Sequence, residues 1–185
     1  MKEFYTIDIA GLKRDLPLCK VNDDLYIGAF IMFGDVELTK VAAKELLERC
    51  PEHDIMITAE CKGIPLLYEM ARQEGADNYI VARKGPKLYM RNIYTTKVNS
   101  ITTEKEQTLC LGEDDMLALR GKRVLIVDDV ISTGESLAAL EQLIAEVEGN
   151  IVGKATVLAE GDASERDDII YLSYLPLFDR EGNEL

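Results

Sequence analysis

The sequence has little of the chemistry that zinc and haem proteins need. Among its 185 residues only one is a histidine, His53 in the polar stretch PEHD, and the four cysteines lie far apart with no C-x-x-C pair. Zinc and haem sites need clusters of such side chains, so the sequence offers no ligand set for either. We expect all the thiols to be reduced; they are Cys19, Cys50, Cys61 and Cys110.

Long apolar runs are also absent. No uninterrupted apolar stretch reaches the roughly 18 residues that a membrane-spanning helix requires. The amino-terminal stretch MKEFYTIDIAGLKRDLPLCK lacks the apolar block of a signal peptide. We therefore expect a cytoplasmic protein with no membrane partner.

Positive charge is scarce. The chain has 21 Lys and Arg against 34 Asp and Glu, which gives a formal net charge of −13 and a sequence pI near 4.6. Such a charge repels nucleic-acid phosphates, and no long basic run provides a local exception. We expect no nucleic-acid partner.

What the chain does contain is an alternation of strand and helix patterns over the length of one ordinary domain. Apolar strand patterns that alternate with amphipathic helix patterns are typical of α/β proteins, in which helices flank a parallel sheet. The predicted strands are 25–33, 54–60, 78–84, 123–129 and 151–160, and the predicted helices are 36–50, 63–75 and 135–149.

Between residues 85 and 120 this alternation is interrupted. The segment KLYMRNIYTTKVNSITTEKEQTLCL alternates like a two-stranded hairpin with a polar tip around residues 102–107. We predict a hairpin that ends in a mobile loop and closes as a lid at 95–108.

The stretch RVLIVDDVISTGES, residues 123–136, combines features that suit a sugar phosphate. Asp128 and Asp129 end an apolar strand, so they lie at the carboxyl edge of a parallel sheet, where α/β proteins bind ligands. The turn that follows supplies hydroxyls, the backbone N–H groups of a helix start and Gly134, which together suit a phosphate. The acids then meet another part of the ligand, either a ribose diol or a Mg²⁺ ion. A purely structural interpretation, with the acids ending a strand and Ser132 or Thr133 capping a helix, is the alternative.

The same stretch resembles the motif with which type I phosphoribosyltransferases bind 5-phosphoribosyl 1-diphosphate (PRPP). The resemblance implies that Asp128 and Asp129 are the catalytic acids and hold the ribose hydroxyls. It also implies a turn that wraps the 5-phosphate, formed by Ile131, Ser132, Thr133, Gly134, Glu135 and Ser136.

Two further stretches are similar to the purine branch of this family. TAECKGIPL (58–66) resembles its diphosphate loop, which implies that Cys61, Lys62 and Gly63 offer backbone amides to the diphosphate. VARKGPKLY (81–89) resembles a basic segment that neutralises diphosphate, either within one chain or across the interface of a homodimer. Its basic residues here are Arg83, Lys84 and Lys87.

The resemblance implies a single domain, residues 1–185, with the type I phosphoribosyltransferase fold. The core is expected over 36–160, and a small hood over the purine is expected from 1–35 and 161–185. Mg²⁺ is expected to arrive with PRPP, and no side-chain metal ligand is assigned. Four aromatic residues are candidates either for stacking on the base or for packing in the core, and they are Tyr26, Phe30, Phe33 and Phe178.

The implied activity is purine salvage, in which PRPP and a purine base give a nucleoside 5′-monophosphate and diphosphate. Adenine is favoured because EGDASERDDI (160–169) presents acids and no Lys where an enzyme for a 6-oxo purine would present a Lys donor. The hairpin departs from the adenine branch, since Ser100 lies where an acid is expected. The alternatives are a xanthine or hypoxanthine/guanine phosphoribosyltransferase, or a regulator that binds PRPP without catalysis.

Overall fold

The computed structural model describes residues 2–98 and 107–185. This part of the chain forms β-strands, α-helices and a short 3₁₀ helix (Gly161–Glu165), which follows β9. The elements are β1 (Phe4–Ile9), β2 (Leu12–Lys20), β3 (Tyr26–Gly28), α1 (Val36–Arg49), β4 (Ile55–Ala59), α2 (Ile64–Glu74), β5 (Ile80–Ala82), β6 (Tyr94–Val98), β7 (Gln107–Leu111), α3 (Glu113–Leu119), β8 (Arg123–Ile131), α4 (Glu135–Glu146), β9 (Asn150–Glu160), β10 (Ile170–Leu175) and β11 (Leu177–Phe178).

The central element is a five-stranded sheet in the order β10-β9-β8-β4-β5. Every neighbouring pair in it is parallel. A parallel connection requires a crossover, and here α2 joins β4 to β5 and α4 joins β8 to β9. The α/β class and the parallel sheet predicted from the sequence are therefore confirmed.

The burial of strand β8 explains why residues 124–127, which precede the two acids, are all apolar. Leu125 and Val127 pack into a core with α1 and α2, whereas Val124 and Ile126 pack into a second core with α4. All four side chains are fully buried. Burying one such side chain contributes about 1.5–3 kcal/mol, so a strand covered on both faces favours apolar residues.

The helices begin and end at the residues that their local chemistry favours. At the start of α1, the Asp35 side chain accepts a hydrogen bond of 3.0 Å from the Leu38 amide. At the end of α2, Gly75 adopts a left-handed conformation with φ 76°. The predicted helices 36–50, 63–75 and 135–149 are confirmed, each with ends shifted by no more than a few residues.

A second, antiparallel sheet has the order β1-β2-β3-β11 and draws strands from both ends of the chain. The predicted strand 25–33 is wrong beyond Gly28, because only Tyr26–Gly28 forms a strand, and it belongs to this second sheet. Beyond it, burial alternates: Phe30 and Met32 are buried, whereas Ile31 and Phe33 are exposed. The apolar run thus covers one side of the α1–α2 core and is not a strand buried on both faces.

The predicted hairpin is present as the antiparallel pair β6–β7, with Thr96 opposite Leu109. Its predicted tip at 102–107 falls almost entirely, and Ser100 falls fully, outside the described residues. The short helix α3 follows the hairpin and was not predicted, because seven residues that begin with three acids carry little helical periodicity. Among residues 2–98 and 107–185, no helix is long and apolar enough to span a membrane.

Candidate active site

Three neighbouring strands bring the candidate residues to one edge of the sheet. β8, β4 and β5 lie side by side and run in the same direction, so their carboxyl ends meet at a single edge. Asp128 and Asp129 lie near the end of β8, and residues 60–63 follow β4. The basic segment 83–87 follows β5. Segments that are far apart in the sequence are therefore adjacent here, as expected for a ligand site of an open parallel sheet.

The two acids occupy a desolvated position. Asp129 is only 2% exposed, and its backbone N–H donates a hydrogen bond of 2.8 Å to Oδ1 of Asp128. Burial raises the pKa of Asp128, and the neighbouring charge of Asp129 raises it further. Two adjacent carboxylates in such a place favour a partner that brings hydrogen-bond donors or positive charge.

Lys62 reaches the acids from the neighbouring loop. Its Nζ lies 3.1 Å from Oδ2 of Asp129, and that oxygen is buried without a hydrogen-bond partner among the described residues. The two observations agree if the contact is an ion pair whose angle does not suit a hydrogen bond. Lys62 is half exposed, so its ammonium group can move towards a ligand.

The loop between β4 and α2 passes very close to β8. A Cβ atom at Gly63 would collide with Oγ1 of Thr58 and lie 3.2 Å from Oδ1 of Asp128. Only glycine fits at this position, and it precedes the first residue of α2 with no side-chain cap. Cys61 and Lys62, on the other side of this contact, are exposed. The sequence prediction placed these three residues together, and the structure places them beside the acids.

Glu60 links this loop to the basic segment. Its carboxylate accepts hydrogen bonds from Arg83 Nη2 (3.1 Å) and from the Lys84 amide (3.0 Å), and Lys87 Nζ lies 3.6 Å away. The hydrogen bond from Arg83 is the main reason why the pKa of Glu60 is lowered to about 2. The sequence analysis did not single out Glu60 as a site residue. The signal that could have identified it is its position as an acid directly before Cys61, within the stretch that resembles the diphosphate loop.

The basic segment also pairs with the hairpin. The backbone of Arg83 and that of Cys110 exchange two hydrogen bonds of 2.9 and 2.8 Å. Nη1 of Arg83 donates to the hydroxyl of Tyr89 at 2.6 Å. Arg83 is therefore held on three sides, whereas Lys84 is exposed and Lys87 half-buried.

The turn after β8 forms a small cup. Gly134 has φ 79° and ψ 8°, a left-handed conformation that favours glycine, and α4 begins directly after it. A cavity of about 120 Å³ lies within the turn, enough for a group the size of a few water molecules. Its lining includes Asp128 and every residue predicted to hold the 5-phosphate, namely Ile131, Ser132, Thr133, Gly134, Glu135 and Ser136. Because the Ile131 side chain is buried, only its backbone can meet a ligand.

The four aromatic candidates separate by exposure. Phe30 and Phe178 are 6% and 0% exposed and belong to the core, and Tyr26 is half-buried. Phe33 is 52% exposed, three residues before α1 begins. Because α1 ends near the amino end of β4, the start of α1 lies at the opposite edge of the parallel sheet, where the strands have their carboxyl ends. A cavity of about 240 Å³ there is lined by residues 32 and 34–36 and by Pro65 of α2.

A larger cavity, about 580 Å³, lies at the opposite edge of the sheet. It is lined by Cys50, His53 and Arg123 among others, and Arg123 is already paired with Asp54 at 2.9 Å. Nothing in this cavity combines acids with a phosphate-binding turn. The acids and the turn predicted from the sequence therefore lie at the carboxyl edge of the sheet and not beside this larger cavity.

A five-stranded parallel sheet flanked by helices, with these acids, glycines and cations at its carboxyl edge, is the architecture of type I phosphoribosyltransferases. The sequence model of the phosphoribosyl transferase domain matches residues 35–179. The chain belongs to this family of enzymes.

Comparisons with individual proteins agree with that assignment. The chain is 32% identical over 151 residues to an adenine phosphoribosyltransferase of Thermotoga petrophila, covering 80% of this chain and 85% of that one. It is 24% identical over 159 residues to an orotate phosphoribosyltransferase of a Thermoanaerobacter species, covering 85% and 72%. The crystal structure of adenine phosphoribosyltransferase from Thermoanaerobacter pseudethanolicus has the same fold, with a TM-score of 0.66, 18% identity and coverage of 93% and 95%.

Proposed function

We propose that this enzyme transfers the 5-phosphoribosyl group of PRPP to a purine base, with adenine as the preferred base. The observation that carries the proposal is the meeting of three segments at one edge of the sheet: acids from β8, a glycine loop from β4 and cations from the segment after β5. PRPP carries a phosphate, a diol and a diphosphate. The turn that follows the acids suits the phosphate, the acids suit the diol, and the glycine loop and the cations suit the diphosphate.

Each segment has a separate task in this proposal. The turn 131–136 binds the 5-phosphate through backbone amides and hydroxyls. Asp128 and Asp129 accept hydrogen bonds from the ribose hydroxyls and stabilise the positive charge that develops on the ribose ring. Lys62, Arg83, Lys84 and Lys87 stabilise the negative charge of the departing diphosphate, whose oxygen keeps the electron pair of the broken bond to C1 while a purine nitrogen attacks C1.

The residues at this edge fit a magnesium ion that arrives with the substrate. Oδ2 of Asp129 is a buried carboxylate oxygen without a hydrogen bond among the described residues, the kind of hard ligand that Mg²⁺ prefers. In the described part of the chain, no group of three or more His, Cys, Asp or Glu side chains is arranged to hold a metal. The oxygens of PRPP would thus supply most of the ligands, with Asp128 and Asp129 nearby. When bound, Mg²⁺ would neutralise diphosphate charge.

The choice of base rests on Phe33 and on the relatives. Phe33 is exposed at the edge that holds the site, so its ring is available to stack on a flat base. Relatives named for adenine, xanthine and orotate all match the chain, and the adenine enzymes reach the higher identities. Adenine is therefore proposed ahead of xanthine, hypoxanthine and guanine. The second sheet, formed from both ends of the chain, is the proposed hood.

A product assay tests this proposal. Purified protein is incubated with PRPP, Mg²⁺ and one base at a time from adenine, xanthine, hypoxanthine, guanine, orotate and uracil, and the nucleotides are separated by chromatography. We expect AMP as the main product. If equimolar adenine and xanthine with limiting PRPP give mainly xanthosine monophosphate, the base is wrong but the transfer stands. If PRPP binds and no base gives a nucleotide, the chain acts as a PRPP sensor.

A further inference from the structure

Arg166, which the sequence analysis did not single out, lies directly against the turn that follows β8. Its Nη1 is 2.9 Å from the position that a Cβ atom would occupy on Gly134. The guanidinium therefore packs on the backbone of the turn, in space that any other residue at position 134 would need. Arg166 comes from the segment after the 3₁₀ helix, about thirty residues further along the chain.

The orientation of this guanidinium is fixed. Nε of Arg166 donates to Oδ1 of Asp168 and Nη2 donates to Oδ2, each at 2.8 Å. A two-point pair of this kind sets the plane of the guanidinium as well as its position. Nη1 takes no part in the pair, and it is the nitrogen that faces Gly134.

Asp168 is itself anchored to the core of the fold. Lys154 on β9 donates to Asp168 at 2.6 Å and also pairs with Glu141 on α4. Hydrogen bonds from Arg166 and then from Lys154 lower the pKa of Asp168, so its carboxylate stays charged at neutral pH. Through Asp168 and Lys154, Arg166 is thus linked both to β9 and to α4, the helix that follows the turn.

The turn has no positive charge of its own to balance a bound phosphate, and Arg166 can supply it. None of the six residues 131–136 is basic, Glu135 is acidic, and Asp128 lies in the same cavity. A phosphate dianion placed there meets amide and hydroxyl dipoles but also negative charge. Arg166 is paired with Asp168, but its Nη1, which faces the turn, takes no part in that pair and brings positive charge to this side of the turn. The side chain of Arg166 is one-third exposed.

We propose that Arg166 is a positioning residue for the 5-phosphate end of PRPP: it holds the turn around Gly134 in its binding conformation and offsets the negative charge gathered there. This inference rests on the proposed function. It adds a residue outside the motif to the site and predicts an effect confined to ligands that carry the 5-phosphate.

The test measures binding with two partial ligands by calorimetry. Ribose 5-phosphate carries the group in question, and inorganic diphosphate does not. Arg166→Gln should weaken the binding of ribose 5-phosphate and PRPP by about tenfold, the effect of one partly exposed charged contact. Diphosphate binding should change by less than about twofold, and the KM for PRPP should rise while kcat stays within about twofold. Arg166→Lys, which keeps the charge but not the two-point pair, should recover part of the loss.

Arg180→Gln is the matched control, because Arg180 is an exposed arginine whose one ion pair within residues 2–98 and 107–185 is with the adjacent Glu181 at 2.7 Å. It should leave both affinities unchanged. Wild-type affinity of Arg166→Gln for ribose 5-phosphate would overturn the inference, and so would an equal loss for diphosphate. If the unmodified enzyme binds ribose 5-phosphate but forms no nucleotide, the proposed function fails, and Arg166 is still judged by the affinities. If it binds neither PRPP nor ribose 5-phosphate, both proposals fail.

Discussion

Gly63 lies against Asp128 so closely that a methyl group at position 63 would be 3.2 Å from Oδ1 and 3.3 Å from the Cα of Asp128. The loop that follows β4 is therefore in contact with the neighbouring strand β8 through a residue without a side chain. The placement of this loop, which we propose binds diphosphate, relative to the acids depends on that contact.

The first prediction tests this contact. Gly63→Ala should lower kcat/KM for PRPP by more than about tenfold, since the loop must move away from Thr58 and Asp128 to make room. Gly85→Ala is the control within the basic segment, because a Cβ at Gly85 meets nothing within 4 Å. Steady-state kinetics should show no loss for it. Similar losses for both variants would remove the contact as the cause.

Neutralising the acids should separate activity from stability. Asp128→Asn and Asp129→Asn should each weaken PRPP use by more than about tenfold, while the free energy of unfolding changes by no more than about 1–2 kcal/mol. Asp129 is only 2% exposed, and Asn keeps nearly the same volume without the charge. Kinetics and urea unfolding of the two variants provide the measurement. Wild-type turnover in the double variant would contradict the assignment.

The burial of Asp128 predicts a pH dependence of stability. Because the pKa of Asp128 is raised in the folded chain, the folded state binds this proton more tightly than the unfolded state. The contribution of Asp128 to the free energy of unfolding then falls as pH rises above the ordinary carboxyl range. Asp128→Asn removes this contribution, so its stability relative to the wild type should increase between about pH 5 and about pH 8. Urea unfolding at both pH values checks the sign; a constant difference contradicts it.

Gly134→Val should abolish PRPP binding. A β-branched residue resists the φ of 79° at this position, and its Cβ would meet Arg166. Gly121→Val is the control, since Gly121 also has a positive φ of 71° but open space around it. Both variants should lose stability, and calorimetry should show lost PRPP binding only at position 134. Unchanged affinity there would place the turn outside the site.

Phe33→Ala should weaken use of the base and spare PRPP. Stacking of a base on an aromatic ring contributes about 1–3 kcal/mol, so the KM for adenine should rise by about fivefold or more. Phe4→Ala removes a ring of nearly equal exposure, 54%, from β1 and should have no such effect. Kinetics with adenine varied at saturating PRPP give the answer. A rise in the KM for PRPP instead would contradict stacking on the base.

The sequence predicted those parts of the fold that local chemistry determines. The helix periods, the apolar run of β8 and the turn at Gly134 are all encoded within a dozen neighbouring residues, and they were predicted close to their observed positions. The family resemblance then grouped residues 61–63, 83–87 and 128–136, which the parallel sheet brings to one edge.

Contacts between distant segments could not be predicted in this way. The second sheet joins β3 to β11 across some 150 residues, and no local pattern encodes that pairing. Glu60 and Arg166 are further examples, because nothing in the neighbouring sequence distinguishes them from other charged residues. Their roles become visible only when the fold places Glu60 beside Arg83 and Arg166 beside Gly134. The apolar run at 25–33 was misleading because a chain that covers one side of a core can be as apolar as a buried strand.

The two sheets share no hydrogen-bonded strand pair in the described part of the chain; they meet through apolar side chains such as those of Ile7, Ile9 and Leu16 on one side and Leu158 and Leu175 on the other. Apolar interfaces tolerate substitutions that conserve volume, whereas a strand pair fixes its register. In evolutionary terms, the terminal sheet can diverge at its own rate without disturbing the parallel sheet that carries the acids. Under the proposal that the terminal sheet is the hood, we therefore expect exchanges in it that conserve volume to change the choice of base before they disturb the acids.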